Sequence, residues 1–257
     1  MATNGDFTPQ SYTALNRVGR HAERGHYDRE TVYRLLDGGK IAHVAFSLPR
    51  KSPHSEEEED WPFAMPMTYA RIDDTVYLHT YISSRIGKGV GRKEHEDPAR
   101  VCITVTNVDS LILASSAFSS SLDYRSVCVF GYGRYVEDEE EKATALKAIT
   151  NQFFKVTGGK GTTNDDEGNR WDDARIPTKI EIKSTRVMAV KIETASAKIR
   201  DLGLIDNKED IEDPEVCSRV WSGVIPIRTV FGEPVTSEHT KVKEPPEYVR
   251  RLVGKSI

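Results

Sequence analysis

FAMPMTYARIDDTVYLHT, residues 63–80, is the stretch on which the reading of the fold turns. Its two halves, 63–71 and 75–80, are short and rich in aromatic and β-branched residues, which favour a pleated, half-buried surface. Between them stands Asp73-Asp74. Aspartates bond to their own backbone and tolerate the backbone angles of a tight turn, so the stretch predicts a β-hairpin. Working outward, Ala42, Val44, Phe46 and Leu48 alternate with His43, Ala45 and Ser47, the period of a strand with one buried face. Further strand-like runs occupy 101–106, 111–114 and 126–136, then 186–192 and 220–227. Most of these runs have no helix between them, which predicts an antiparallel sheet or barrel and argues against βαβ winding. The expected fold class is mainly β with flanking helices.

Helices are few. Asp28 is placed to cap a short helix carrying Val32, Leu35 and Leu36 on one face, ended by Gly38-Gly39. A longer helix is predicted over 138–156, with Asp138 and Glu141 as capping pair and Ala143, Leu146, Ile149 and Phe153 as its apolar stripe. Gly158-Gly159 stops it, and the polar stretch 158–174 reads as a loop. A helical turn near 178–183 precedes the strand at 186–192. The block Glu56-Glu57-Glu58-Glu59-Asp60 concentrates like charge, so 49–61 is expected to be a solvated loop. Three units follow: an N-terminal arm over 1–26, one domain over 27–230, and an extended tail over 231–257.

Composition narrows the function. The chain has 257 residues, 36 basic and 40 acidic, for a net charge of −4. That balance provides no bulk positive field for nucleic acid, so any bound anion must be held locally. Its three cysteines, Cys102, Cys128 and Cys217, are odd in number and widely spaced. Cys102 and Cys128 fall in apolar strand-like runs and are expected as buried, reduced thiols. No stretch approaches membrane-spanning length and no apolar leader segment opens the chain, so the expected compartment is the cytoplasm.

Several motif-like segments fail on inspection. Gly158-Gly159-Lys160-Gly161-Thr162 lacks the glycine four residues before its Gly-Lys pair and the hydroxyl directly after the lysine that a phosphate loop needs. Gly87-Lys88-Gly89-Val90-Gly91 has no surrounding parallel crossover and reads as a flexible, amide-rich loop after a strand. The serines over 115–121 have no nucleophile elbow, and the seven histidines form no metal-ligating spacing, so no metal site is expected. A distributed anion site remains. The strand ending at His79-Thr80 runs into Ser84-Arg85-Ile86-Gly87-Lys88, which offers a hydroxyl, a guanidinium, an ammonium and glycine-freed amides. Those groups suit a phosphate monoester. A second polar group, Tyr124-Arg125-Ser126, stands where another strand begins. The alternative for both is exposed loop charge.

The same stretches carry a family resemblance. Tyr27-Asp28-Arg29, Tyr77-Leu78-His79, Ser84-Arg85, residues 101–106, Ser116-Ala117-Phe118, residues 123–127 and Phe130-Gly131 resemble the pyridoxamine 5′-phosphate oxidase-like proteins. Residues 195–200 and 220–226 extend the likeness, which runs in order from about 20 to 228 and is nearest to the flavin-nucleotide-binding branch with the nitroimidazole-resistance reductases. The resemblance implies a split β-barrel that works as a homodimer with FMN in clefts at the subunit interface. It implies that Ser84 and Arg85 hold the FMN phosphate with Lys88 assisting, although the oxidases carry Arg-Lys where this chain has Arg85-Ile86. It further implies that Met67, Thr68 and Tyr69 line the isoalloxazine through backbone groups, with His79 and Thr80 alongside. Arg125 and Ser126 match a cofactor-contacting position, and Lys198, Arg200 and Trp221 would close the cleft. The Arg-Leu-x-Pro ending of the oxidases is absent, which disfavours vitamin B6 oxidation.

Three functions stay open on this reading. One is an FMN-dependent oxidoreductase acting on a nitro compound, quinone or vitamer, with NAD(P)H as electron donor and His79 delivering protons. The second is a flavin carrier without turnover. The third is a haem-binding or haem-degrading split barrel using His79 or His43 as axial ligand.

Overall fold

The computed structural model describes residues 5–51, 54, 56–91, 93, 96–155 and 169–256. The strands are β1 (Gly25–His26), β2 (Ala42–Lys51), β3 (Glu58–Met67), β4 (Tyr69–Ile72), β5 (Thr75–Tyr81), β6 (Ala99–Leu113), β7 (Ser121–Tyr135), β8 (Thr185–Arg200) and β9 (Gly223–Pro226). Helices are α1 (Arg29–Gly38), α2 (Arg85–Val90), α3 (Glu139–Gln152), α4 (Arg170–Asp173), α5 (Lys179–Ser184), α6 (Lys208–Glu212), α7 (Pro214–Arg219) and α8 (Glu247–Arg250). Every strand pairing is antiparallel, in the order β3-β2-β6-β7-β8-β5-β4, with β1 added to β8 and β9 to β6.

The two ends of that order are one piece of chain. β3 and β4 are separated by Thr68 alone, so the run 58–72 pairs with β2 through its first half and with β5 through its second. A sheet whose first and last strands are continuous closes on itself, which removes the unpaired edges that an open sheet exposes. The expected hairpin is present: Ile72 pairs with Thr75, and Asp73 takes a φ of 48° to make the turn. Inward residues of every main strand, among them Val44, Ile103, Val129, Leu78, Met188 and Val190, form the core.

Short helices plug the barrel. Asp28 caps α1, its carboxylate accepting from the Thr31 amide at 2.7 Å, and Val32, Leu35 and Leu36 turn into the core as the sequence predicts. The Gly87–Gly91 segment is no loop: residues 85–90 form α2, and Ile86 and Val90 are fully buried in the core. Glycine allows this because the helix packs against rings and backbone that leave no room for a Cβ. One added at Gly89 would stand 2.0 Å from the Phe46 ring, and one at Gly133 would stand 2.2 Å from the Val90 carbonyl oxygen.

α3 covers a second, smaller cluster on the outer face, where Ala145 and Ile149 meet Ala70, Tyr77, Val187 and Ala189. Asp138 caps this helix through the Glu141 amide, as expected. Its buried face is Ala145, Ile149 and Gln152; Phe153 is instead largely exposed, because the helix gives way to a turn there. Gln152 donates to the carbonyls of Asp37 and Gly39, which satisfies the end of α1.

The acidic 49–61 segment corrects the loop expectation. Glu58, Glu59 and Asp60 are β-paired with Lys51, Arg50 and Pro49. Opposite charges across the ladder make strand pairing favourable where the acidic residues alone would repel. The runs 101–106 and 111–114 are one strand, β6, irregular in register between Val108 and Ser110. The arm adheres: buried Asn16 donates to the carbonyls of Phe7 and, at 2.9 Å, Ala195. The tail is also packed, with Tyr248 buried, edge-on to Phe154 and donating to Asp173 at 2.8 Å. Gly158-Gly159 and residues up to 168 lie outside the described residues.

Gly133→Ala should destabilise the protein by about 1–3 kcal/mol, since the Val90 backbone cannot move aside. Gly232→Ala, with nothing within 4 Å of its added Cβ, should be near neutral. Urea unfolding of both variants checks this; equal midpoints would contradict the packing of α2 in the barrel.

Candidate functional site

α3 packs on the outer face of β4, β5 and β8. On β2, β6, β7 and β8 the outward residues form cross-strand rows: Ala45, Cys102, Phe130 and Thr194 in one, His43, Thr104, Cys128 and Ser196 in the next, then Thr106, Ser126 and Lys198. An outer face meant for water carries Lys and Glu. This one carries small hydroxyls, thiols and an aromatic ring, and most of them are half-buried.

Two cavities run along this face. The larger, 560 Å³, is lined on this face by Leu15, Ala45, Cys102, Phe130 and Tyr132, and at its edge by Phe63, whose ring stacks on the core ring of Phe46. The smaller, 420 Å³, lies between the arm at Val18-Gly19 and the polar row of Thr104, Thr106, Ser126, Ser196 and Lys198. Both fall within the range of about 300–1,000 Å³ usual for small-molecule and cofactor sites. Their rows are adjacent in the strand register, so the face carries an aromatic-walled cavity beside a hydroxyl-rich one; the two are called the cleft below.

The structure brings some predicted residues to this cleft. Ser126 and Lys198 line the smaller cavity; Ser126 donates to the Lys198 carbonyl at 3.2 Å, and Lys198 Nζ donates to the Arg20 carbonyl at 2.9 Å. Ser84 stands at the N-cap of α2 without a side-chain cap bond, leaving its hydroxyl to serve another acceptor. Arg85 is exposed, its guanidinium 5.0 Å over the ring of Phe63, at the edge of the larger cavity. Lys88 is exposed on the same helix.

Others stand elsewhere. Tyr69 is buried and donates to the Leu36 carbonyl, so its side chain is core and burial pushes its phenol pKa up. Met67 packs partly against the core, and Thr68 sits at the bend between β3 and β4. Thr80 pairs with Arg186, within reach of Gly87 of α2. His79 pairs with Val187 on the face that α3 covers, away from the cleft. Its Nδ1 is buried without a partner among the described residues, and burial lowers its pKa, which favours the neutral imidazole. Trp221 is exposed just before β9.

Two of the residues that the resemblance places at the cofactor are ion-paired within the chain. Arg125 grips Asp109 with both arms of its fork, Nε to Oδ2 at 2.9 Å and NH2 to Oδ1 at 2.7 Å, and this bonding raises its pKa. Arg200 is buried and bonded to Asp123, which also accepts from Ser110 at 3.0 Å and from the Gly203 amide. Arg125 meets Asp109 through Nε and NH2, whereas Arg200 also donates to the Gly203 carbonyl at 3.2 Å.

Sequence reasoning missed Thr104, Thr106 and Ser196, and the joining of Cys102 to Cys128. The signal was present in Val101-Cys102-Ile103-Thr104-Val105-Thr106, whose outward positions are small and uncharged. No group of three or more His, Cys, Asp or Glu that could hold a metal ion occurs among the described residues. No described helix is long and apolar enough to cross a membrane.

Comparison with known proteins places the chain. Residues 28–199 match the family model described as pyridoxamine 5′-phosphate oxidase, and the chain belongs to that family. Among solved structures it is similar to the flavocytochrome Anf3 from Azotobacter vinelandii, at 28% identity and a TM-score of 0.71 over 92% of this chain and 96% of that one. It is likewise similar to an FAD and haem binding protein from Mycobacterium smegmatis, at 25% identity and a TM-score of 0.70 over 90% and 98%. No curated protein matches. The fold is the split barrel of this family, mainly antiparallel β as the sequence indicates.

Arg200→Ala should cost about 3–5 kcal/mol, because it strands the buried Asp123 carboxylate. Arg125→Ala, whose pair is partly solvated, should cost about 1 kcal/mol or less. Denaturant midpoints measure both; equal small losses would show that the Arg200–Asp123 pair is not a structural tie.

Proposed function

We propose that this member of the pyridoxamine 5′-phosphate oxidase family is a flavin-binding redox protein whose flavin occupies the cleft on the outer face of β2, β6, β7 and β8. The observation that carries the reading is the cleft itself: aromatic walls at one end, a row of small hydroxyls along the floor, and an uncommitted cation at the aromatic rim. Phe130 and Tyr132 suit the faces of a fused aromatic ring system. Arg85 and Ser84, with Lys88, suit the phosphate that FMN and FAD share. The two end-to-end neighbours, named for flavin, haem or both, support the class.

The site is open on one side, and its outer margin is apolar. Leu111, Leu113 and Leu122, with Ile225 of β9, are partly exposed in one antiparallel patch. A homodimer that buries this margin would close the cleft and bring Trp221 of one protomer toward it. The flavin supplies hydride and electron transfer when bound. The chain's own part is to stack the ring, hold the phosphate and exclude water. The reading favours an oxidoreductase passing electrons from a reduced nicotinamide to a small acceptor such as a nitro compound or quinone, entering the same cleft. FMN is the flavin the family resemblance implies; FAD is the one named for the Mycobacterium smegmatis neighbour.

A second reading adds haem, and one observation favours it: both end-to-end neighbours are haem-associated by name. His43 stands in the cleft row beside Thr104, whereas His79 is beneath α3. His43 is therefore the better-placed axial ligand of the two.

Protein purified from cells should show a flavin spectrum, and chromatography of the released chromophore identifies FMN or FAD. Arg85→Ala should weaken flavin binding about tenfold or more, the loss of one charge-assisted hydrogen bond. A colourless protein that takes up neither flavin overturns the proposal, and full retention in Arg85→Ala overturns the phosphate assignment. A Soret band that disappears in His43→Ala would establish the second reading.

A further inference from the structure

The cleft floor contains a thiol pair that flavin binding does not require. Cys102 and Cys128 are free, half-buried and on neighbouring strands, with their Sγ atoms 3.4 Å apart. Cys102 pairs with Phe130 and Thr104 with Cys128, so the cysteines are diagonal neighbours on one face. Each opens to a different part of the cleft: Cys102 lines the 560 Å³ cavity and Cys128 the 420 Å³ cavity. Contact between two thiols combined with access from a cavity is the arrangement that disulfide exchange needs; an inert buried cysteine has neither.

The two sulfurs are not equivalent. The contact between them lowers the Cys102 pKa, while the same contact and burial raise that of Cys128. Cys102 also faces the larger opening. Cys217, the third cysteine, lies exposed on α7 and bonds to the Ile211 carbonyl at 3.2 Å, so it stands outside the pair.

We propose that Cys102 and Cys128 form a redox-active dithiol that reduces small disulfides entering the cleft, with Cys102 as the attacking thiolate and Cys128 as the resolving thiol. In the first step the Cys102 thiolate attacks one sulfur of the disulfide RSSR. The S–S bond of the substrate breaks, a mixed disulfide forms on Cys102, and the leaving RS⁻ takes up a proton. Cys128 then gives its proton to solvent and attacks Cys102 Sγ. The Cys102–Cys128 bond forms, the mixed disulfide breaks, and the second RS⁻ leaves to be protonated. The chain loses two electrons and the small disulfide gains them, giving two RSH.

Closing the bond takes the sulfurs from contact to about 2.05 Å. Diagonal positions in a sheet have Cα atoms about 7–8 Å apart, at or beyond the spacing a relaxed bridge prefers. The resulting bridge is therefore strained and easily reduced again, suited to cycling more than to stapling the sheet. The exchange needs no bound flavin and does not rest on that reading.

The test uses the full chain carrying Cys217→Ser, treated with oxidised glutathione, quenched by denaturing alkylation and mapped by mass spectrometry. The expected product is a Cys102–Cys128 disulfide that dithiothreitol reverses. Adding Cys128→Ser should trap glutathione on Cys102, while Cys102→Ser should slow adduct formation about tenfold or more, as loss of the favoured thiolate implies. Cys→Ala versions, with far-ultraviolet circular dichroism, control for folding. Two cysteines that remain fully alkylatable overturn the proposal; so do bridges that form only between chains. Faster trapping on Cys128 than on Cys102 overturns the assignment of roles. Because the readout is mass on flavin-stripped protein, its failure leaves the flavin reading untouched.

Discussion

The run 58–72 is bonded on both sides, to β2 through residues 58–67 and to β5 through residues 69–72. That single constraint makes a barrel out of what would otherwise be an open sheet. Closure gives the strands an inside, and the inside is filled by apolar side chains from every strand and plugged by α1 and α2. The described interior is packed with apolar side chains. A ligand then binds outside, and among the described residues the two larger cavities lie on the face formed by β2, β6, β7 and β8.

That partition also explains the composition of the strands. β6, β7 and β8 alternate between Val, Ile or Ala pointing inward and Thr, Ser or Cys pointing outward. Inward positions follow from packing. Outward positions of this kind gain little from water and little from a protein core, so they make sense where a planar ligand or a second protomer lies across them. The fixed charges nearby are handled separately: Arg200 with Asp123 and Arg125 with Asp109 tie β6, β7 and the start of the 201–206 segment, and leave the cleft floor nearly neutral.

Much of this was legible in the sequence, because it depends on local pattern. The alternation over 42–48, the Asp73-Asp74 turn, the Asp28 cap and the Asp138 cap all arise from neighbours in the chain. What the sequence concealed depends on partners far away. Glu58 and Glu59 form a strand because Lys51 and Arg50 lie opposite, which a window over the acidic block alone does not reveal. The Gly-rich 87–91 segment becomes helical because a barrel mouth accepts it. The carboxylates that pair with Arg125 and Arg200 stand 16 and 77 residues away, so neither pair is visible in a local window. Conversely, the Thr and Ser row of the floor has no motif and appears only once strand register puts its members side by side.

The claim that the outer face of β2, β6, β7 and β8 is the flavin site is tested most directly by filling it. Thr104 sits at the middle of the cleft floor, half-buried and pointing away from the core, so Thr104→Trp blocks the site without entering the barrel. The measurement is flavin per chain in the purified variant, alongside its circular dichroism. The account predicts a folded protein with its flavin lost. A folded Thr104→Trp protein that keeps its full flavin content would contradict it and place the cofactor elsewhere on the barrel.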